Sequence, residues 1–408
     1  MKSVSVFGLG LMLGLGAFGI GAAPAEAKKE APPAPSLSKS EREALATLKA
    51  AVDARDFGAA TTALTSAQSV VRGGEGRYLL AVLQVEVARG TNNVALLASA
   101  IDALAASGRL SQPELASLYA SQGALAGLAN DRKRAEEYYS RAFEIAPSAE
   151  TAITLAQFKI AANKNADAVA LIDRAILLRK PTGQPIPEGW YRRGIFLSTG
   201  IALAPQALKF NREWIAAYPS PDNWRDAILN YREYGRPDPA ILVDAVRLQR
   251  LARALAGERD YLEAAQIFAG AGLAGEAKSV FDEGVSGRMI DPGKASFKEA
   301  IATATRNAAT ARTRLASLRT GAAAAPTGEP ALQVADQLLS FGDYAGAIEF
   351  YRTAVQKGGA DNDAANLRMG IALALSGRRP EAESAFRSVS GARSELASLW
   401  LIWLGQRS

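Results

Sequence analysis

From Ser40 to Arg319, and again from Pro330 to the C-terminus, short segments with helical apolar spacing alternate with brief breaks. The segments run to about twelve to sixteen residues and the breaks to about two to five, which is the rhythm of many short helices. Ala and Leu dominate the segments, β-branched runs are scarce, and the breaks are built from Gly, Asn, Asp and Pro. A helix this short buries one stripe and leaves another apolar face open, so hairpin must stack on hairpin to make a core. At 408 residues the chain is far longer than one compact core requires. The predicted fold class is therefore all-α, an α-solenoid of antiparallel helix pairs.

Several adjacent pairs repeat one pattern. The first helix has a large residue, a small one four later and another large one three after that. The second helix has a small residue, a large or aromatic one four later and a small one three after that. In 116–149 the pattern is Tyr119, Gly123, Ala135, Tyr139, Ala142 and Pro147; in 328–361 it is Gly342, Tyr344, Ala347, Tyr351 and Ala354. In 363–391 it is Met369, Gly370, Leu373, Gly377, Ala382 and Phe386; in 245–272 it is Leu248, Leu251, Ala252, Leu255, Tyr261, Ala264, Phe268 and Ala271. Weaker copies begin near Glu41 (Phe57, Ala60, Leu64, Ala67) and Ala149 (Leu155, Ala156, Ala168, Ile172, Ala175). Small residues let two helices approach, and the large ones plug the space between them. These positions resemble the tetratricopeptide-repeat (TPR) signature, and Trp190 and Trp224 open two segments 34 residues apart, the period of that family. The resemblance implies a TPR-like superhelix that binds proteins or peptides in a groove lined by its first helices. It departs from the family pattern in two places. The terminal-helix proline is met only by Pro147, and the 77–113 pair matches poorly. Between Ser220 and Ser286 two registers compete, the second using Tyr261, Ala265, Phe268, Ala277 and Phe281.

The N-terminus reads as an export signal. Lys2 precedes an uncharged apolar stretch, Val4 to Ala23, and Ala25-Glu26-Ala27 is a small-x-small cleavage site. Six glycines interrupt that stretch, which weakens it as a membrane anchor. A signal peptide over 1–27 and a Pro-rich tether over 28–38 are expected, and no later segment is apolar for long enough to span a bilayer. The expected location is a bacterial periplasm. Zero cysteines suit an oxidising compartment and rule out a lipoprotein anchor.

Composition narrows function further. With no His and no Cys the chain cannot build a His-dependent triad, a thiolate nucleophile or a zinc site ligated by nitrogen or sulfur. No Gly-rich phosphate loop, nucleophile elbow or calcium loop is present. The expectation is a non-enzyme without cofactor or metal. Net charge is +6, spread without a Lys/Arg block, so nucleic acid is not an expected partner.

Gly321 to Pro330, with four consecutive alanines and two prolines, reads as a linker. It divides a solenoid over 39–320 from a C-terminal array of two repeats over 331–408. Ahead of it, Gly293 to Arg319 carries Phe297, Ile301, Ala304, Ala308, Ala311, Leu315 and Leu318 at steps of four and three, a heptad seam. That helix either caps the solenoid or docks and dimerises. The last helix, Ser394 to Gly405, sets Leu396, Leu399, Trp400, Trp403 and Leu404 on one stripe and turns Leu401 and Ile402 elsewhere.

Carried over by position from Trp190, the TPR groove residues are Glu188, Tyr191, Ile195 and Ser198; from Trp224 they are Asp222, Arg225, Leu229 and Arg232. The candidate partner-binding set is Glu188, Tyr191, Ile195, Arg225, Leu229 and Arg232. Aromatics and arginines dominate interface energetics, and two arginines in a groove favour an acidic peptide or an anionic polysaccharide. The alternative is that the tryptophans are packing and the arginines solvated. The corresponding C-terminal positions (Glu329, Leu332, Asp336, Leu339; Ala364, Leu367, Ile371, Ala374) are mostly apolar, suiting a partner helix or further packing. Three functional readings follow: a periplasmic scaffold for envelope proteins, a peptidoglycan- or polysaccharide-binding protein, and a structural subunit of a secretion or outer-membrane assembly.

Overall fold

The computed structural model describes residues 37–407, so the expected signal peptide and nearly all of the tether lie outside the described residues. Among the described residues the structure is helices joined by turns, without a strand, and no helix is long and apolar enough to cross a membrane. The chain divides into two compact units between Arg109 and Leu110.

The first unit holds α1 (Lys39–Asp53), α2 (Phe57–Val70), α3 (Gly74–Gly90) and α4 (Val94–Ala106) as two antiparallel hairpins. The poorly matching 77–113 pair still closes, because Gln84 reaches across from α3 to donate to Ser99 Oγ at 2.7 Å. Glu41 ties the unit together. Its carboxylate closes a capping box with Ser38 at the start of α1 and also accepts the backbone N–H groups of Arg72 and Gly73, both at 2.8 Å. Those backbone bonds, from Gly73 first and then Arg72 and Ser38, hold its pKa down at about 2. A carboxyl whose folded pKa lies below its unfolded value stabilises the fold above about pH 4.5, and that stability is lost as pH falls toward 2. Glu41→Gln is expected to abolish this acid sensitivity. Protection factors of the Arg72 and Gly73 amides, taken against the intrinsic exchange rate at each pH, should be low in the variant at both pH 7 and pH 3, and should fall on acidification only in the parent. Equal protection in the two proteins at pH 7 would count against the role.

The second unit contains α5 (Gln112–Leu128), α6 (Arg132–Ile145), α7 (Ala149–Ala161), α8 (Asn165–Arg179), α9 (Glu188–Gly200), α10 (Ala204–Ala217), α11 (Pro221–Tyr234) and α12 (Pro239–Leu251). It continues with α13 (Gly257–Gly270), α14 (Ala274–Ser286), α15 (Ala295–Ala324), α16 (Glu329–Ser340), α17 (Tyr344–Lys357), α18 (Asn362–Leu375), α19 (Arg379–Arg387) and α20 (Ser394–Gly405). Tight turns join most hairpins, with one residue in the left-handed region just past the first helix, as at Asn130 (φ 58°) and Gly377 (φ 80°). The plug logic read from the sequence is realised in the packing. A Cβ on Gly123 would sit 2.7 Å from the Tyr139 ring, and one on Gly370 would sit 2.6 Å from Phe386. Gly194 against Phe210, at 2.8 Å, is a third such pair that the pattern reading did not find.

Between Ser220 and Ser286 the structure selects the second register. α13 and α14 form the close hairpin, with Ala265, Phe268, Ala277 and Phe281 buried and Tyr261 packed against them. Gly284 completes the spacing, since a Cβ there would meet Ile290 at 2.6 Å and Tyr261 at 2.9 Å.

The expected linker over 321–330 is corrected. α15 continues through Ala324, and only residues 325–328 form the turn into α16. Alanine is the best helix former, so an alanine run adjoining a helix extends it. Lys357 Nζ then caps the end, donating to the carbonyls of Ala322, Ala323 and Ala325. The C-terminal array is not set apart either. Helix α16 packs on α14, and α20 packs on α10 and α12, so one continuous core runs from Ala156 to Leu404. The α20 stripe is buried as its spacing predicts, and Leu401 and Ile402 are half-buried against the same core. Helix α15 covers the α13–α14 pair with Phe297 and Ala304.

Candidate functional site

The candidate residues on α9 sit one step around the helix from where the TPR carry-over puts them. Tyr191, expected in a groove, is 2% exposed and packs edge-on against Tyr218 at 6.4 Å, whereas Trp190 is half-buried beneath Arg179. Burial, followed by the nearby Glu213 and Tyr218, pushes the Tyr191 hydroxyl up to about 12. Ile195 and Ser198 are buried as well. Glu188 accepts from Trp214 Nε1 at 2.9 Å, joining α9 to α10. Leu229 is half-buried. Both arginines are engaged within the chain. Arg225 forms two bonds to Asp260 at 2.8 and 3.2 Å, and Arg232 pairs with Glu263, so each holds α11 to α13. These six residues are therefore chiefly cross-helix packing and pairing, because an apolar or ion-paired partner inside the chain already covers their faces. The C-terminal set follows suit: Leu332, Leu339, Leu367 and Ile371 lie in the core.

The structure instead assembles charge where α12 meets the C-terminal helices. Residues Val243 to Gln249 of α12 are all buried, Asp244 and Arg247 among them. Asp244 is 0% exposed and accepts from three arginines: Arg247 on its own helix, Arg368 of α18 through Nε at 3.1 Å, and Arg393 just before α20 at 3.5 Å. Arg247 also grips Glu276 of α14 with two bonds, at 2.7 and 2.6 Å. Burial by itself would lower the Arg247 pKa, but attraction to Glu276 and Asp244 outweighs it and raises the value above the ordinary one. Arg368 reaches on to Asp336 of α16 at 2.7 Å, and the Tyr351 hydroxyl donates to the same carboxylate at 2.7 Å. Burial raises the Asp336 pKa above its ordinary value despite the pull of Arg368. The network joins α12, α14, α16, α17 and α18 by charge-assisted hydrogen bonds. One sequence signal could have exposed it: Asp244 and Arg247 interrupt the apolar run Ile241 to Leu248 of α12, and buried charges must be paired.

Beside this network a cavity of about 560 Å³ opens between α12, α14, α15 and the α16–α17 turn. That volume lies within the range of ligand sites. Its walls combine Leu251, Leu339, Phe341 and Tyr344 with Arg250 and Arg312. Arg250 is committed to Glu283 at 2.8 Å and Ser279 at 2.6 Å, while Arg312 lies 5.0 Å over the Phe341 ring. Close approach of α14 shapes the rim: a Cβ on Gly275 would come within 2.5 Å of the Ser340 carbonyl oxygen. The cations at this cavity are already paired with carboxylates or stacked on a ring, which makes it an amphipathic receptacle.

No family model matches the chain, and no curated protein matches it either. Solved structures are similar in architecture. A tetratricopeptide repeat protein from Parabacteroides merdae is 13% identical over 66% of this chain and 100% of its own, with a TM-score of 0.32. The TPR2AB domain of yeast Sti1, solved as a complex with pHSP90, is 12% identical over 72% of this chain and 95% of its own, with a TM-score of 0.24. The fold itself is an all-α array of antiparallel, TPR-like helix pairs, an assignment that the glycine-to-ring hairpins of this chain carry by themselves.

Proposed function

We propose that this chain is a non-catalytic interaction scaffold, exported to the periplasm, which receives a segment of an envelope protein in the cavity between α12, α14, α15 and the α16–α17 turn. The observation that carries the reading is the lining of that cavity. An aromatic ring stacked by an arginine sits beside aliphatic side chains, in a space large enough for several peptide side chains. The polysaccharide reading rests on the arginines and aromatics of 190–234, and of these Tyr191, Arg225 and Arg232 are engaged within the chain. Export rests on the 1–27 signal, which predicts a mature chain beginning at Lys28.

A photocrosslinking residue at Thr305, which is exposed on the cavity wall, is expected to capture one discrete protein in intact cells. The same probe at Ala170 of α8 should not. Phe341→Ala should remove the adduct while leaving the helical circular dichroism unchanged. Mass spectrometry of the adduct should show an envelope protein joined to a chain starting at Lys28. Equal capture from both positions, or no capture from Thr305, would sink the cavity reading. A retained signal segment on a cytoplasmic adduct would sink the export reading.

A further inference from the structure

Helix α15 has 30 residues, so it is about 45 Å long. Its heptad seam is used unevenly. Phe297, Ala304 and Ala308 are buried, whereas Ala311 and Leu315 are half-buried and Leu318 is 48% exposed. Next to the seam, Asn307, Ala311, Arg314 and Leu318 recur at steps of four, three and four, which makes a second stripe suited to another helix. Small residues on this outer face (Ala311, with Thr310 beside it and Thr303 two turns earlier) permit close approach.

The charge of this face is one-sided. Between residues 300 and 324 there are four arginines and no Asp or Glu. Arg319 pairs with Asp343 at the start of α17. Among the described residues, Arg306, Arg312 and Arg314 have no carboxylate in salt-bridge range; Arg306 donates to Thr303 Oγ1 at 3.0 Å and Arg312 stacks on Phe341. Elsewhere on the second unit, arginines such as Arg225, Arg247 and Arg250 are matched by acids from neighbouring helices.

We infer that the outer face of α15, centred on Arg306, Arg314 and Leu318, docks an acidic amphipathic helix from a partner protein. Charge decides the occupant. A second copy of the chain would set guanidinium against guanidinium, which is repulsive. A lipid surface calls for a wide apolar face, and here Leu318 is the one large exposed hydrophobe. Single-stranded nucleic acid calls for stacking aromatics, and the stripe has none. A helix with leucines along one stripe and glutamates beside it satisfies both the exposed Leu318 and the unmatched arginines.

The test uses the mature chain and a synthetic fluorescent peptide of four heptads, with Leu at a and d and Glu at e and g. Fluorescence anisotropy should show micromolar binding that weakens about tenfold between low and physiological salt, as attraction between partly exposed charges does. The same peptide with Gln at e and g should bind about tenfold more weakly. Arg306→Gln/Arg314→Gln and, separately, Leu318→Ala should each reduce affinity about tenfold with the fold intact, since all three side chains lie on the surface. Phe341→Ala should leave this binding unchanged, so the outcome is independent of the cavity. Equal binding of the Gln peptide, indifference to the substitutions, a dimer of the chain in sedimentation that protects α15, or preferential binding of anionic vesicles or DNA would each overturn the inference.

Discussion

Arg247→Met is expected to lower the unfolding free energy of the chain by about 3–5 kcal/mol, the cost of breaking a buried ion pair from one side. Arg247 is 2% exposed, and its two carboxylate partners are as deeply buried, Asp244 at 0% and Glu276 at 5%. The partners do not suffer equally. Asp244 keeps Arg368 and Arg393, but Glu276 loses both guanidinium bonds and is left as a buried carboxylate without a salt-bridge partner. Methionine fills much of the volume, so the loss is mainly electrostatic. Removing the stranded charge as well, in Arg247→Met/Glu276→Leu, should recover most of the stability, because replacing a whole buried pair by apolar side chains is often close to neutral. Urea unfolding at pH 7, followed by circular dichroism, measures both variants. Sodium chloride should leave the difference nearly unchanged, since buried charges are poorly screened. A single-variant cost below about 1 kcal/mol, the range of surface pairs, would show that water reaches this network.

Trp400→Ala should cost about 3–5 kcal/mol, the usual effect of removing a large aromatic from a packed core. Trp400 is 0% exposed, stacks on Phe386 at 5.9 Å and meets Trp403 edge-on at 5.3 Å. Phe386 in turn fills the space opposite Gly370, so the hole would open beneath the α18–α19 hairpin and under the helix that packs on α10 and α12. Trp400→Phe separates packing from polarity. The Trp400 indole N–H is buried without a hydrogen-bond partner, so phenylalanine removes an unsatisfied donor while keeping most of the ring contact. That variant should lie within about 1.5 kcal/mol of the parent, as shape-conserving core swaps do. Matching losses for the two variants would mean that the indole has a partner that the geometry does not show.

The hairpins were legible because their information is local. Gly123 and Tyr139 belong to one hairpin, as do Gly370 and Phe386, and a missing side chain opposite a ring has meaning without knowledge of the rest of the molecule. Gly194 and Phe210 carry the same signal, but in the sequence the tryptophans at 190 and 224 compete with it for the register. The groove assignment on α9 failed for a geometric reason. Adjacent residues on a helix point about 100° apart, so taking Trp190 as the inward anchor turned Tyr191 out, when Tyr191 is the buried one. The alanines at 322–324 suggest a linker by composition, yet they prolong α15 because nothing in them stops a helix.

What the sequence determined by itself is the all-α class, the helix-pair unit and the absence of histidine and cysteine chemistry. Each follows from spacing within one hairpin or from composition. Only the tertiary structure decided which faces remain open. The C-terminal helices return to α10, α12 and α14, and they bring Arg368 and Arg393 to Asp244 across 124 and 149 residues of chain. Helical spacing reports which residues share a stripe. It does not say which distant stripe will cover them, because that depends on how long runs of hairpins turn as they stack. Closure of the C-terminal helices onto α10–α14 is what buries the expected C-terminal groove positions, while the cavity beside Phe341 and the arginine face of α15 stay open.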